Sequence, residues 1–263
     1  GTDAQKAHSA RMLEGLASKN SENRIAIAGM KGIPPLVQLV QGGNDSQKLI
    51  AASTLRHLAF KNAANKKEIA EAGAIEPLVE LVSKGNDAQK DIAAEALRNL
   101  AASLDNRTLI REAKGIEALT ELLQAGKKPS EVETRRVIAI GAIWALAIDD
   151  LNKKAIVLAN GIEPLLVMVH FGTDEMKLLA AGTLQKLAMD EHNRMLIADA
   201  GGIDPLIMLV HNGTTAQREA AAGTLFELSK NMVNNKVISI SGGFESKWLY
   251  NTTRKVASTL ACW

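Results

Sequence analysis

The sequence is poor in cysteine and in aromatic residues, and neither sign of charge dominates it. Its single cysteine, Cys262, cannot form an internal disulfide, which excludes a disulfide-stapled fold and fits a reducing compartment. No segment approaches the roughly 18 consecutive apolar residues of a membrane span, and the first residues do not show the pattern expected of a signal peptide. The formal net charge of +2 gives no support for a nucleic-acid partner. We therefore expect a soluble protein of the cytoplasm, or alternatively of the nucleus, without nucleic-acid binding or direct membrane insertion.

The chain does contain a block of about 42 residues that recurs along its length. Each block has a corner such as Gly-Ala-Ile-Glu-Pro-Leu at 73–78, then a turn of Gly, Asn or Thr, and Asp, and then an Ala-rich stretch. The corner isoleucines, which are 42, 41, 46 and 41 residues apart, are Ile33, Ile75, Ile116, Ile162 and Ile203. This period predicts a solenoid of stacked helical units, an architecture that presents long concave surfaces to partners.

Each block predicts three helices. The first is short and ends at a glycine such as Gly73, the second begins near Pro77, and the long third helix follows Asp87 as its N-cap. Copies of the third helix are predicted at 45–61, 87–103, 131–148, 174–189 and 214–230. A further copy at 3–18 opens the sequence, so we expect the chain to begin within a repeat and to belong to a longer protein.

The pattern predicts a repeat domain over residues 1–243 and a C-terminal capping helix over 244–263. The domain consists of a partial repeat at 1–22, five full repeats at about 23–64, 65–105, 106–151, 152–192 and 193–233, and the start of another at 234–243. About five extra residues around 127–131 predict an inserted loop, which is either a tolerated insertion or a partner-binding or modification site at Ser130. We expect a monomer, with dimerisation through the C-terminal helix as the alternative.

Four features together resemble the armadillo repeat over nearly the whole chain: the period, the three helices, the corner, and the Asn-Asp before an Ala-Ala-x-x-Leu helix. The resemblance implies an all-α, right-handed α-solenoid, or superhelix, whose third helices line a concave groove. It also implies that the groove binds an extended peptide or partner segment, so that the protein is a scaffold or adaptor. Enzymatic activity, cofactors and metals are not expected in such repeats.

Importin-α-like members of the family carry a Trp and, four residues later, an Asn on each third helix to bind basic cargo signals. The Trp positions here are Arg11, Ser53, Glu95, Gly141, Gly182 and Gly223. The residues that occupy the Asn positions here are Gly15, His57, Asn99, Ala145, Lys186 and Glu227. Only Asn99 is the asparagine that importin-α-like binding requires. The Ala-Ala-Gly-Thr-Leu runs at 180–184 and 221–225 are more similar to β-catenin, vacuolar and plant armadillo adaptors. The alternatives are an importin-α-like transport receptor and the repeat portion of a larger enzyme such as a ubiquitin ligase.

Helical geometry extends the groove to positions i, i+3, i+4 and i+7 of each third helix, counted from the Trp position. The first half is predicted to be polar, with Arg11, Glu14, Ser53, Arg56, His57, Glu95, Arg98 and Asn99. The second half is predicted to comprise Gly141, Trp144, Ile148, Gly182, Lys186, Met189, Gly223, Phe226 and Glu227. The three glycines predict either an apolar slot beside Trp144 or relief of crowding between helices, with Trp144 and Phe226 buried.

The other polar residues of the sequence do not predict a catalytic or metal-binding site. The five histidines are scattered along the chain and none forms a His-x-x-x-His or His-Glu-x-x-His pair, so no metal site is predicted. A column of cations lies near the start of every third helix: Lys6, Lys48, Lys90, Arg136, Lys177 and Arg218. Their aliphatic stems are expected to cover the edge of the core, with a basic stripe for an acidic partner as the alternative.

Overall fold

The computed structural model describes residues 2–124 and 129–242, which form seventeen α-helices and no strand. The chain divides into an N-terminal unit, residues 1–125, and a C-terminal unit, residues 126–263. The helices of the N-terminal unit are α1 Asp3–Lys19, α2 Ser21–Gly29, α3 Ile33–Gly42, α4 Asp45–Ala59, α5 Ala63–Glu71, α6 Ile75–Lys84, α7 Asp87–Leu100, α8 Leu104–Glu112 and α9 Gly115–Gln124. Those of the C-terminal unit are α10 Pro129–Leu146, α11 Asp150–Leu158, α12 Ile162–Phe171, α13 Asp174–Leu187, α14 Glu191–Asp199, α15 Ile203–Asn212, α16 Thr215–Ser229 and α17 Met232–Gly242.

Within each unit, helices of the same kind lie side by side. In the N-terminal unit the third helices α1, α4 and α7 form one row, and the second helices α3, α6 and α9 form another. In the C-terminal unit α10, α13 and α16 form the third-helix row, and α17 packs on α15 and α16. The predicted three-helix repeat and the all-α solenoid class are therefore confirmed, and buried Leu, Ile, Val and Ala side chains fill the space between the rows.

The first helices begin two residues before the predicted repeat boundaries. Helix α5 begins at Ala63 rather than at 65. The cause is an N-cap, because the side chain of Asn62 accepts a hydrogen bond from the backbone N–H of Asn65 at 3.0 Å. Similar caps precede α2, α11 and α14.

The N-cap predicted for the third helix is wrong by one residue. The cap of α7 is Asn86, whose side chain accepts from the N–H of Gln89 at 3.0 Å, while the Gln89 side chain accepts from the N–H of Asn86 at 2.9 Å. Gln89 also donates its amide hydrogen to the carbonyl of Asp45 in the preceding repeat at 3.1 Å. One glutamine therefore closes a capping box and joins two third helices.

A second polar column, which the sequence did not suggest, joins the first helices to their neighbours. The side chain of Asn65 is 3% exposed and donates to the carbonyls of Arg24 and Leu58 at 3.1 and 3.0 Å. The equivalent residue one repeat later, Asn106, donates to the carbonyls of Lys66 and Leu100. Each asparagine thus satisfies a carbonyl at the end of the third helix before it, where helical partners are missing.

The corner after each first helix requires a residue with positive φ. Gly73 adopts φ +76°, as predicted. The residues at the same place in the other repeats are Lys31, Lys114, Asn160 and Gly201, all with positive φ. Glycine is therefore favoured at this corner but is not required by it.

Two predicted features concern residues that the structure describes only in part or not at all. The expected insertion at 127–131 includes undescribed residues, but α10 begins at Pro129, so 129–131 belong to a helix instead of a loop. The capping helix at 244–263 and the dimer built on it lie outside the described residues. Among the described helices no single one is long and apolar enough to span a membrane, and only α11 with α12 passes that test as a pair, across an 84° bend.

Candidate functional site

All of the predicted groove residues except Ser53, Gly141 and Gly223 are exposed or half-buried, and neighbouring third helices make the same contact in each unit. The residue at position i+3 of one third helix lies beside the residue at position i of the next. The pairs within the two units are Glu14 with Ser53, Arg56 with Glu95, Trp144 with Gly182, and Gln185 with Gly223. We call these positions, with i+4 and i+7, the third-helix face of each unit.

In the N-terminal unit the first of these pairs removes Ser53 from the candidate binding residues. The Ser53 side chain is only 5% exposed, and its hydroxyl donates to the Glu14 carboxylate at 2.5 Å. A partner chain would have no access to this hydroxyl. The prediction that Ser53 contacts a partner is therefore corrected: its role is to hold the carboxylate of the preceding helix.

The second pair is an ion pair between the Arg56 guanidinium and the Glu95 carboxylate, both partly buried. Arg56 also places Nη2 2.8 Å from Nε2 of His57. Because a guanidinium can only donate, Nε2 must accept, which requires a neutral imidazole with its proton on Nδ1. The Asn99 amide donates to the Arg56 carbonyl at 3.1 Å, so this asparagine is partly engaged within the protein.

His57 gives the N-terminal unit a predictable response to pH. Partial burial, followed by the charge of Arg56, lowers the pKa of His57 below its ordinary value of 6.5. In the window between the lowered pKa and the unfolded value, the unfolded chain binds more protons, so the free energy of unfolding rises with pH. Stability is therefore lost as the pH falls from 6.5 through this window.

The measurement is the free energy of unfolding of the wild type and of His57→Gln at a series of pH values. Glutamine keeps an oxygen that accepts from Arg56 but does not titrate. We expect the stability of the wild type relative to His57→Gln to decrease on acidification below pH 6.5. Parallel curves for the two proteins would contradict the assignment.

Arg11 and Arg98 complete the polar face of the N-terminal unit. Both side chains are exposed. Neither makes a hydrogen bond or ion pair to any residue in the described part of the chain. They are therefore charged groups of this face that a partner can reach.

In the C-terminal unit the face is built around Trp144. This side chain is 40% exposed, so the alternative in which it belongs to the buried core is wrong. The ammonium group of Lys186 lies 4.2 Å from the centroid of the indole ring, within the range of a cation–π interaction. Ile148 and Met189, which lie just beyond the ends of α10 and α13, are exposed as well.

The glycines of this face are explained by neighbouring side chains. A Cβ atom on Gly182 would lie 3.3 Å from Nε1 of Trp144, which is tighter than most real contacts. A Cβ on Gly223 would overlap the amide of Gln185. Relief of crowding between third helices is therefore the correct interpretation of both glycines. Gly223 is covered and cannot form an open floor, whereas the indole at Gly182 stays accessible.

Sequence reasoning overlooked Gln185, although it occupies the same repeat position as Trp144 and Phe226. Phe226 itself is half-buried, with the Lys230 ammonium group 5.2 Å from its ring centroid. Glu227 is largely buried and pairs with Lys230 at 2.7 Å. Gly141 is buried as well. The residues of this face that a partner could reach most easily are thus Trp144 and its exposed apolar neighbours.

Comparison with known proteins identifies the repeat. The model of the armadillo/β-catenin-like repeat matches residues 20–60, 62–102 and 190–230. A designed armadillo repeat protein, solved in complex with the peptide (KR)4, has a TM-score of 0.76 at 21% identity, covering 84% of this chain and 92% of its own. These three ranges are armadillo repeats. The three matched ranges begin at Asn20, Asn62 and Asp190, which are N-cap residues of first helices in the structure.

Two engineered proteins of known structure are also similar to this chain. One has a TM-score of 0.85 at 27% identity and covers 96% of this chain and 63% of its own. The other has a TM-score of 0.80 at 28% identity and covers 87% and 92%. No curated protein matches the sequence.

The remaining polar features of the armadillo repeats have structural explanations. In the cation column Lys48, Lys90, Arg136 and Lys177 are half-buried, as expected of stems that cover the core edge, while Lys6 and Arg218 are exposed. Among the described residues no group of three or more His, Cys, Asp or Glu side chains could hold a metal ion.

Proposed function

We propose that this armadillo repeat protein is a non-catalytic scaffold or adaptor that binds an extended segment of a partner protein along its third-helix faces. The observation that carries the proposal is the exposed indole of Trp144. A tryptophan is costly to leave in water, and aromatic side chains of this kind anchor many protein interfaces. The indole lies beside Gly182, and the Lys186 ammonium group lies 4.2 Å from its ring centroid.

Two further points support an extended segment as the partner. The designed armadillo repeat protein of similar fold was solved with a peptide bound. In addition, adjacent helices pack about 8–10 Å apart and an extended chain rises about 3.3 Å per residue. Each repeat can therefore face two to three residues of a segment that runs across the row.

The scaffold is proposed to act as a monomer in the cytoplasm or the nucleus. The single cysteine supports this proposal, because proteins of reducing compartments do not depend on disulfides.

The proposal is tested by selecting linear peptides from a random library on the purified protein. Selected peptides are expected to bind in a one-to-one ratio and to lose affinity when the same sequence is cyclised into a compact turn, because only an extended chain spans several repeats. Failure to select any linear peptide, or peptides that bind equally well when cyclised, would contradict the proposal.

A further inference from the structure

On the third-helix face of the N-terminal unit, some charged side chains are paired within the protein and others are exposed. It carries three arginines, Arg11, Arg56 and Arg98. Arg56 is engaged with Glu95 and with His57. Arg11 and Arg98 are exposed and have no hydrogen-bond or ion-pair partner among the described residues.

The carboxylates of the same face, in contrast, are bound to other groups of the protein. Glu14 accepts the hydroxyl of Ser53, and Glu95 is paired with Arg56. Asp91, which lies one turn before Glu95 and outside the face as defined, also has an interaction partner. An incoming chain therefore meets two accessible guanidinium groups, while the carboxylates are already bound to groups of the protein.

We infer that the N-terminal unit selects an acidic segment, whose carboxylates pair with Arg11 and Arg98. This inference rests on the proposed peptide-binding function and adds the chemistry of the partner. The planar guanidinium group binds a carboxylate through two parallel hydrogen bonds, which gives both strength and geometric selectivity. A basic segment would place its cations against both arginines and would find the carboxylates occupied.

The positions of the two arginines set the spacing of the acidic residues. Arg11 lies on α1 and Arg98 on α7, two third helices apart in the row. Packing distances of about 8–10 Å place them roughly 16–20 Å apart along the row. An extended chain covers this distance in about five or six residues. The selected segment therefore carries acidic side chains with about this separation.

The experiment compares two fluorescent peptides of equal length, the basic peptide (KR)4 and an alternating Asp-Glu peptide, by anisotropy titration against the full chain. The acidic peptide is expected to bind more tightly than the basic one. Its affinity should fall with increasing salt, because the contacts are charge pairs near the surface. Equal affinities, a preference for the basic peptide, or binding of neither would overturn the inference.

Charge reversal provides the decisive variant. Arg11→Glu with Arg98→Glu is expected to weaken binding of the acidic peptide by about a hundredfold, at roughly tenfold for each lost charged hydrogen-bonding group. The control is Lys67→Glu with Lys84→Glu, which changes the net charge equally but on first and second helices, at exposed sites. The control should bind like the wild type. An equal loss in both variants would show only non-specific attraction and would overturn the assignment.

The acidic specificity and the scaffold function are tested separately. If library-selected peptides bind the protein but Arg11→Glu with Arg98→Glu leaves their affinity and that of the acidic peptide unchanged, the acidic specificity is wrong and the scaffold function stands. If no linear peptide binds at all, the proposed function itself is wrong. Circular dichroism of each variant confirms that the helices are intact, which is expected because both arginines are exposed.

Discussion

Replacing Trp144 by alanine is expected to weaken the binding of library-selected peptides by about thirtyfold to a hundredfold, the loss typical of an aromatic anchor at the centre of an interface. The melting temperature should change by only a few degrees. The indole is 40% exposed and its described contacts are with Gly182 and with the ammonium group of Lys186. A cation–π contact at an exposed site contributes only about 0.5–1 kcal/mol.

Leu158→Ala is the matched control, because Leu158 is 83% exposed and lies at the end of α11, a first helix. It removes an exposed apolar side chain from the same unit without touching the third-helix face, and it should leave affinity unchanged. Affinity and melting temperature are measured by fluorescence anisotropy and by thermal denaturation. A loss of several kcal/mol of stability in Trp144→Ala would show that the indole belongs to the core.

Replacing Asn65 by alanine is expected to lower the free energy of unfolding by about 3 kcal/mol. The side chain is buried and donates to two backbone carbonyls, of Arg24 and Leu58. Each buried polar group left without a partner costs about 1–3 kcal/mol. Asn65→Asp should be at least as harmful, because a carboxylate cannot donate to these carbonyls.

Asn23 supplies the internal comparison for this prediction. It occupies the same position one repeat earlier, is only half-buried, and donates to one carbonyl, that of Leu16, at 2.9 Å. Asn23→Ala is therefore expected to cost about 1 kcal/mol, the value of a typical single hydrogen bond. Both variants are compared with the wild type by urea denaturation. Equal losses at the two positions would contradict the role assigned to the buried pair of bonds at Asn65.

The repeat period and the helix types could be predicted from sequence because apolar spacing, corner residues and turn residues are local signals that recur in every repeat. The contacts between repeats could not be predicted from the sequence. The glycines at 182 and 223 depend on the offset between adjacent third helices, which places Trp144 and Gln185 over them. That offset is a property of packing and leaves no local signal. Ser53 was misassigned for the same reason, since its partner Glu14 lies on another helix.

The third-helix faces of the two units differ in the chemistry of their inter-helix contacts. In the N-terminal unit, side chains at positions i and i+3 bind one another through charge and hydrogen bonds, as Arg56 and Glu95 do. In the C-terminal unit the same positions pair a large side chain with glycine. The same contact between neighbouring repeats thus occurs with two different chemistries.

The most direct test of the scaffold account is hydrogen–deuterium exchange of the protein with and without a library-selected linear peptide. The account predicts that binding slows exchange in third helices, including α13 and the end of α10 around Trp144, and leaves the first and second helices unchanged. Protection confined to first or second helices, such as α12 or α15, would show that the partner binds elsewhere and would contradict the account.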